Sequence, residues 1–155
     1  MSPATGVALI ETVGTVLDRK GHKVWSLPPE ASVYDAIALM AEKGVGALLV
    51  MSGDHIEGIM SERDYARSVI LKGRSSSATR IDEIMTHPVV TVTPQETLDT
   101  CLRIMTERRI RHLPVIDKGH VTGIVSIGDL VKAIVASQAY TIDELRKYIM
   151  GKYPA

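Results

Sequence analysis

An internal repeat constrains the fold of this chain more than any other sequence feature. Residues 22–64 align with residues 87–129 without a gap at a constant offset of 65, and twelve of the 43 aligned pairs are identical. Many of the other pairs are similar in kind, such as Ile37 with Leu102 and Lys43 with Arg108. A gapless match of this length predicts one structural unit that is used twice.

Each copy predicts the same order of elements, β-α-β-β-α, so the fold class is α+β. The helix after the first strand carries apolar residues at i, i+3, i+4 and i+7 spacing, which predicts one buried stripe. Two short strands separated by a Gly-containing turn follow, and a second helix comes after them. The predicted strands cover residues 24–27, 47–51 and 56–60 in the first copy and residues 89–92, 113–116 and 121–125 in the second. The second helices are expected to end at about residues 71 and 137.

Each copy closes with the motif Gly-apolar-apolar-Ser-x-x-Asp, where the last strand meets the second helix. We call these motifs the Asp64 corner (residues 58–64) and the Asp129 corner (residues 123–129). The unpaired N–H groups of a helix start favour anions, and a nearby carboxylate can accept hydrogen bonds from ribose hydroxyls. In a single copy, Ser and Asp would be explained better as helix caps. Their repetition in register favours a ligand-binding corner in one or both copies.

The composition limits the classes of function. Eighteen basic residues balance eighteen acidic ones, so the chain has no global attraction for nucleic acid or anionic membranes. Apolar residues make up 45% and phenylalanine is absent, so the core is expected to be aliphatic. The single cysteine, Cys101, lies on a predicted buried stripe and fits a reducing compartment. No membrane-spanning run and no signal peptide are evident, so we expect a cytoplasmic protein.

The segments outside the repeat carry signals of their own. Val13, Val16 and Leu17 have helical spacing, and a short helical turn is predicted at residues 81–85. We therefore divide the chain into a tail with a short helix (1–21), a first domain (22–71), a linker (72–86), a second domain (87–137) and a C-terminal helix (138–155).

The repeated pattern resembles tandem cystathionine β-synthase (CBS) domains. The stretches Ser61-Glu62-Arg63-Asp64-Tyr65 and Arg111-His112-Leu113-Pro114-Val115 are similar to those of small stand-alone bacterial CBS-pair proteins, and the resemblance covers roughly residues 13–137. It implies two units packed sheet to sheet with pseudo-twofold symmetry. It also implies two clefts for adenosine ligands, with AMP expected first and ADP, ATP or NAD(H) as alternatives. CBS pairs of this kind usually form homodimers and act as energy or redox sensors.

The resemblance also implies which residues line the clefts. Each cleft would take its Ser-x-x-Asp corner from one unit and a first strand from the other. The first implied cleft contains Ser61, Arg63, Asp64, His87, Pro88, Val89, Ile110, Arg111 and His112. The second contains Ser126, Gly128, Asp129, His22, Lys23, Val24, Val45, Gly46 and Ala47. The two aspartates are expected to hold ribose hydroxyls, and the two serines are expected to approach phosphate.

These two sets of residues predict clefts of unequal affinity. The first has Arg63, Arg111 and His112 where the second has glycine or alanine. A charge-assisted contact to phosphate is worth about 1.5–3 kcal/mol. The cleft of Asp64 is therefore predicted to bind phosphate more tightly, while the cleft of Asp129 would be roomier and depend on Lys23 and backbone amides.

Other classes of function have weaker support in the sequence. No nucleophile–base constellation points to an enzyme, so no catalytic residues are expected. Zero net charge and few aromatic residues disfavour RNA or DNA binding. His22, His87 and His112 lack metal-ligand spacing, so no metal site is expected. The downstream protein partner cannot be named from the sequence.

Overall fold

The computed structural model describes residues 11–137 together with residues 146, 147 and 149. The chain divides into two compact units of mixed helix and strand. The repeat-1 unit comprises Val24–Val89, and the repeat-2 unit comprises Met1–Lys23 with Val90–Ala155. The segment that precedes the first copy in sequence thus belongs to the unit built around the second copy.

The described elements follow the predicted order, except that the first strand of the second copy is absent. The helices are α1 (Val13–Lys20), α2 (Val33–Lys43), α3 (Glu62–Tyr65), α4 (Leu98–Arg108) and α5 (Ile127–Ser137). The strands are β1 (Ser26–Leu27), β2 (Ala47–Ser52), β3 (His55–Ser61), β4 (His112–Asp117) and β5 (His120–Ser126). A π-helix (Ala66–Ile70) continues α3, and a 3-10 turn covers Ile81–Glu83.

The repeat-1 unit contains a sheet in the order β1-β2-β3, with β1 parallel and β3 antiparallel to β2. Ser32 caps α2 by accepting a hydrogen bond from the Asp35 N–H. The predicted stripe of α2 is buried at Val33, Ala36 and Met40. The same core takes in Ile81 and Ile84, so the segment after the π-helix packs into this unit.

The repeat-2 unit contains the antiparallel pair β4-β5. Helix α4 begins after the N-cap Thr97 and buries Leu98, Cys101, Leu102 and Met105. Burial raises the pKa of the Cys101 thiol to about 12, with a smaller effect from the charge of Glu96. This confirms Cys101 as a core residue.

The predicted strand at residues 89–92 is wrong except at its last residue. Val92 forms a single parallel bridge with Val115, using the Val92 N–H to the Pro114 carbonyl and the Ile116 N–H to the Val92 carbonyl. The next bond of a parallel ladder would run from the N–H of residue 114 to the carbonyl of Val90. Proline has no N–H, so the ladder stops there. In the first copy the matching residue is Leu49, whose N–H does bond to the Trp25 carbonyl.

The second helix of the first copy also differs from the expected uninterrupted α-helix. After α3 the backbone widens into the π-helix, where the Leu71 N–H bonds to the Ala66 carbonyl five residues earlier. Its counterpart α5 in the second copy is α-helical across the described residues Ile127–Ser137, which fits the prediction of an uninterrupted helix.

Helix α1 forms as predicted and contributes to the core of the repeat-2 unit. Thr12 caps it, and Val13, Val16 and Leu17 are buried against residues of α4, α5 and the β4-β5 pair. Its apolar face is therefore covered by its own chain. The expected C-terminal helix lies outside the described residues apart from 146, 147 and 149. Within the described residues, no helix combines the length and apolar character needed to cross a membrane.

Candidate functional site

The Asp64 corner is held by reciprocal capping between Ser61 and Asp64. Ser61 ends β3, and its hydroxyl oxygen accepts a hydrogen bond from the Asp64 N–H at 3.2 Å. In return, Asp64 Oδ2 accepts from the Ser61 N–H at 2.9 Å and from its hydroxyl at 3.0 Å. This capping box fixes the hydroxyl and the carboxylate side by side at the first turn of α3.

The other carboxylate oxygen of Asp64 accepts from a hydroxyl. Thr86 Oγ1 donates to Asp64 Oδ1 at 3.2 Å. Thr86 is held in place because its backbone pairs with Ile59 of β3 in both directions, at 3.0 and 2.9 Å. Asp64 can therefore serve as a cap through Oδ2 and as a hydroxyl acceptor through Oδ1 at the same time.

The Asp129 corner has the same capping geometry. The Asp129 N–H donates to Ser126 Oγ at 3.2 Å, and the Ser126 N–H donates to Asp129 Oδ2 at 2.8 Å. Both corners are thus helix caps, as the simpler interpretation of the motif required. Capping and ligand binding are compatible because a carboxylate offers several acceptor positions.

Lys20 distinguishes the Asp129 corner from the Asp64 corner. Its Nζ donates to Asp129 Oδ2 at 2.6 Å and to the Ile124 carbonyl at 2.7 Å. Burial raises the pKa of the Asp129 carboxyl, but hydrogen bonds from Lys20 and Ser126 outweigh burial, and the net pKa lies below its ordinary value. Asp129 is therefore ionised at neutral pH and carries a cation at its side.

The sequence did not predict Lys20 as a site residue, because basic residues before Gly21 indicate only the end of a helix. A usable signal was the offset of 65, which matches Lys20 with Met85 and Gly21 with Thr86. Extending the alignment upstream by two residues would have shown that the segments before the two copies correspond to each other. Both segments would then have been candidates for contact with the corners. The glycines that open the two motifs receive these segments, since a Cβ at Gly58 would lie 2.6 Å from Met85 Sδ, and one at Gly123 would lie 2.7 Å from Leu17 Cδ2.

Several predicted residues of the first copy lie beside the Asp64 corner in the same unit. Ala47 pairs with Ser61 across β2 and β3, and the Gly46 carbonyl accepts from the Glu62 N–H at 3.0 Å. Val45 is partly buried against the core. The predicted residues of this unit also include Val24, Arg63, His87, Pro88 and Val89.

The matching residues of the second copy lie beside the Asp129 corner. His112 pairs with Ser126 across β4 and β5, and the Arg111 carbonyl accepts from the Ile127 N–H at 2.9 Å. Ile110 packs partly buried against the core. The predicted residues of this unit also include His22, Lys23 and Gly128. The combinations of residues from different units that the resemblance implies, such as Asp64 with Arg111, stay predictions.

Two histidines of the repeat-2 unit have pKa values shifted in opposite directions. Burial lowers the pKa of His112, the charges of Lys20 and Arg111 lower it further, and the charge of Asp129 partly opposes them. His22 is exposed, and its two ring nitrogens lie 2.7 Å from the Thr122 carbonyl and 3.1 Å from Asp18 Oδ1. The hydrogen bond to Thr122, followed by that to Asp18, raises the pKa of His22. The described residues contain no group of three or more His, Cys, Asp or Glu arranged to hold a metal ion.

Comparisons with known proteins identify the repeated unit. The sequence model of the CBS domain matches residues 13–70 and 81–136. Across 92% of this chain and 73% of the relative, the sequence is 40% identical to the CBS domain-containing protein CBSX3, mitochondrial, of Arabidopsis thaliana.

Solved structures give the same result. A CBS-domain protein of Burkholderia ambifaria, ascribed to signal transduction, is 53% identical with a TM-score of 0.79, covering 84% of this chain and 98% of that one. The CBS domain protein PAE2072 of Pyrobaculum aerophilum, solved in complex with AMP, shares the fold at 23% identity with a TM-score of 0.72, covering 83% of this chain and 98% of that one. With two matching copies that span most of its length, this chain belongs to the CBS domain family as a CBS-pair protein.

Proposed function

We propose that this CBS pair is a regulatory module that binds adenine nucleotides at its two corners. AMP is the first candidate ligand, and ADP, ATP and NAD(H) are the alternatives. Each corner would hold a ribose through its aspartate and approach a phosphate through its serine. The module would transmit the level of bound nucleotide to a partner protein as a change of shape.

The observation that carries this proposal is the hydrogen bond from Thr86 Oγ1 to Asp64 Oδ1 at 3.2 Å. A ribose hydroxyl is a donor of the same kind, and it would replace or join Thr86 at that oxygen. The capping bonds to Oδ2 fix the carboxylate before any ligand arrives. Preorganisation of this kind lowers the entropic cost of binding. The same cap at Asp129 supports a second site of related geometry.

Unequal sites are part of the proposal. The Asp64 carboxylate accepts from a neutral hydroxyl, whereas the Asp129 carboxylate is paired with the Lys20 ammonium. The residues implied by the family resemblance favour the Asp64 site for phosphate, because Arg63 and Arg111 have no basic counterparts at Gly128 and Gly46. The Asp64 site would then be occupied at a lower nucleotide concentration than the Asp129 site.

A regulatory role has more support than a catalytic one. A relative at 53% identity is ascribed to signal transduction, and the structure of PAE2072 contains AMP. A bound nucleotide changes the conformation of a protein only if it prefers one arrangement over another. We therefore expect nucleotide binding without turnover.

Homodimer formation and a cytoplasmic location complete the proposal. Ile70 and Val135 occupy matching positions of the repeat, and their exposed fractions of 56% and 53% are high for large apolar residues. Sedimentation at micromolar concentration should give a dimer, and a double change to Ile70→Glu and Val135→Glu should give a monomer. A wild-type monomer would refute homodimer formation.

The single cysteine supports a reducing compartment such as the cytoplasm.

Native mass spectrometry tests the proposed ligand class directly. The protein as purified, and then incubated with AMP, ADP, ATP or NAD, should retain adenine nucleotide at up to two molecules per chain. GMP serves as the control for base recognition. Retention of none of the four adenine nucleotides at millimolar concentration would overturn the proposal.

A further inference from the structure

Lys20 is the last residue of α1 and joins two parts of the Asp129 corner. One of its hydrogen bonds reaches the carboxylate of Asp129, and the other reaches the carbonyl of Ile124 in β5. Helix α1 is anchored by Leu17, which is buried beside Gly123 of the same strand. The ammonium group is thus placed at this corner by the packing of a whole helix.

The ammonium group has donor capacity left for a ligand. It carries three N–H groups, and within the described part of the chain two of them are used, toward Asp129 and Ile124. The Lys20 side chain is 40% exposed, so a molecule from solvent can reach it. The contact with Asp129 therefore holds the ammonium group at the corner and leaves an N–H group that can donate to a ligand.

The surrounding charges suit an anion. Lys20 and Arg111 both act electrostatically on His112, and Asp129 is the carboxylate that opposes them there. The Lys20 ammonium contacts the corner directly, and Arg111 is close enough to act on the same histidine. A phosphate group would be attracted to this corner, and its contact with an ammonium group would be charge-assisted.

We propose that Lys20 is a phosphate-binding residue of the Asp129 corner. Its ammonium stays on Asp129 Oδ2 and donates its third N–H to a phosphate oxygen of the nucleotide held there. This inference rests on the proposed nucleotide-binding function. It assigns phosphate recognition at this corner to a residue that lies outside the repeated copies, and it ties the bound phosphate to the end of α1.

The test isolates the Asp129 corner in an Asp64→Asn background, where titration calorimetry is carried out with AMP and with adenosine. Lys20→Met keeps the aliphatic stem and matches Met85 of the first copy. It should weaken AMP binding about tenfold, because a charge-assisted hydrogen bond is lost, while the affinity for adenosine changes less than about twofold. Lys20→Arg should keep most of the affinity for AMP.

Arg19→Met is the matched control, since it removes a neighbouring cation of α1 that pairs with Glu11 instead. It should leave AMP binding unchanged. If Lys20→Met does not fold, as judged by circular dichroism, Lys20→Gln takes its place. Equal losses for AMP and adenosine, unchanged binding, or tighter binding of AMP would each overturn the role of Lys20. Loss of all AMP binding in wild type would instead overturn the proposed function, and with it this inference.

Discussion

Single residues decide how the two corners differ. Asp64 and Asp129 cap their helices through Oδ2 in the same way, but the groups that approach them are a threonine hydroxyl and a lysine ammonium. These groups come from the segments that precede the second and the first copy, respectively. The charge at each corner is therefore set by a segment outside the motif, while the capping geometry is shared.

The opposite pKa shifts of His112 and His22 predict two separate pH windows in stability. The folded-state pKa of His112 is lowered, so the unfolded chain takes up a proton first and stability falls as the pH drops below about 6.5. The folded-state pKa of His22 is raised, so its contribution is present below about pH 6.5 and is lost as the pH rises through the folded pKa.

Urea unfolding at about pH 5.5, 6.5 and 8 separates the two windows. His112→Gln should reduce the loss of stability on the acid side only, and His22→Gln should reduce the loss on the alkaline side only. The prediction fails if both variants follow the wild-type pH dependence.

Gly58 is required by close packing rather than by its backbone conformation. A Cβ there would lie 2.6 Å from Met85 Sδ and 3.0 Å from the Thr86 carbonyl, so Gly58→Ala should cost about 1–3 kcal/mol of unfolding free energy. Adding Met85→Ala should give a double variant that is more stable than the sum of the two single effects predicts.

Gly128→Ala is the control for the same substitution at an open position. Its Cβ would meet only Ser126 Oγ at 3.6 Å, within α5, where alanine is favoured by about 0.5–1 kcal/mol. If Gly58→Ala were as stable as Gly128→Ala in urea unfolding, the packing argument would be wrong.

Among the elements, α1 and the segment 81–86, which begins with the 3-10 turn at Ile81–Glu83, have corresponding structural roles. Each lies ahead of one copy in sequence, buries apolar residues in a core and brings a polar group to a corner. Yet α1 belongs to the repeat-2 unit and the 3-10 turn belongs to the repeat-1 unit. Each corner is therefore completed by the segment that leads into the other copy.

Leu17 tests how much α1 contributes to its unit. The side chain is 1% exposed in the core, so Leu17→Ala should cost about 2–5 kcal/mol, as removal of buried methylene groups does. Leu17→Met keeps the volume and should cost less than about 1.5 kcal/mol. Urea unfolding monitored by circular dichroism measures both. A cost below about 1 kcal/mol for Leu17→Ala would mean that α1 is not part of the core.

The sequence predicts most elements because their signals are local. The stripe of α2, the cap Thr97 and the Gly-containing turns of both hairpins all depend on residues within a few positions of each other. The missing strand at residues 89–92 depends on Pro114, which is distant in sequence, and only the pairing register shows which hydrogen bond it removes. The π-helix has no evident sequence signal.

In the candidate site, too, the sequence predicted the residues that a local motif marks and missed those that depend on tertiary packing. Ser61, Asp64, Ser126 and Asp129 are found at the two strand-to-helix corners where the motif placed them. Lys20 and Thr86 were not found from the sequence, because their roles depend on which core their segments join. That choice is a matter of tertiary packing and not of local pattern.

At the scale of the whole molecule, two corners of different charge suit a sensor with two affinities. The site with higher affinity would stay occupied over a wide range of nucleotide concentrations, and the other would respond to changes within that range. The motif of the Asp64 corner contains Arg63 where the other motif has Gly128, which favours the Asp64 corner for constant occupancy. Lys20 adds a cation to the Asp129 corner and so reduces the expected difference in phosphate affinity between the two sites.

Titration calorimetry of AMP into wild type, Asp64→Asn and Asp129→Asn tests whether the two carboxylates hold the nucleotide. Asparagine keeps an oxygen for the helix cap but loses the charge and one acceptor oxygen. Wild type should bind two molecules per chain with unequal affinities, Asp64→Asn should lose the tighter site, and Asp129→Asn should lose the weaker one. Ser32→Ala, which removes a helix cap at α2, should keep both sites. Wild-type binding in both aspartate variants would show that neither carboxylate holds the nucleotide.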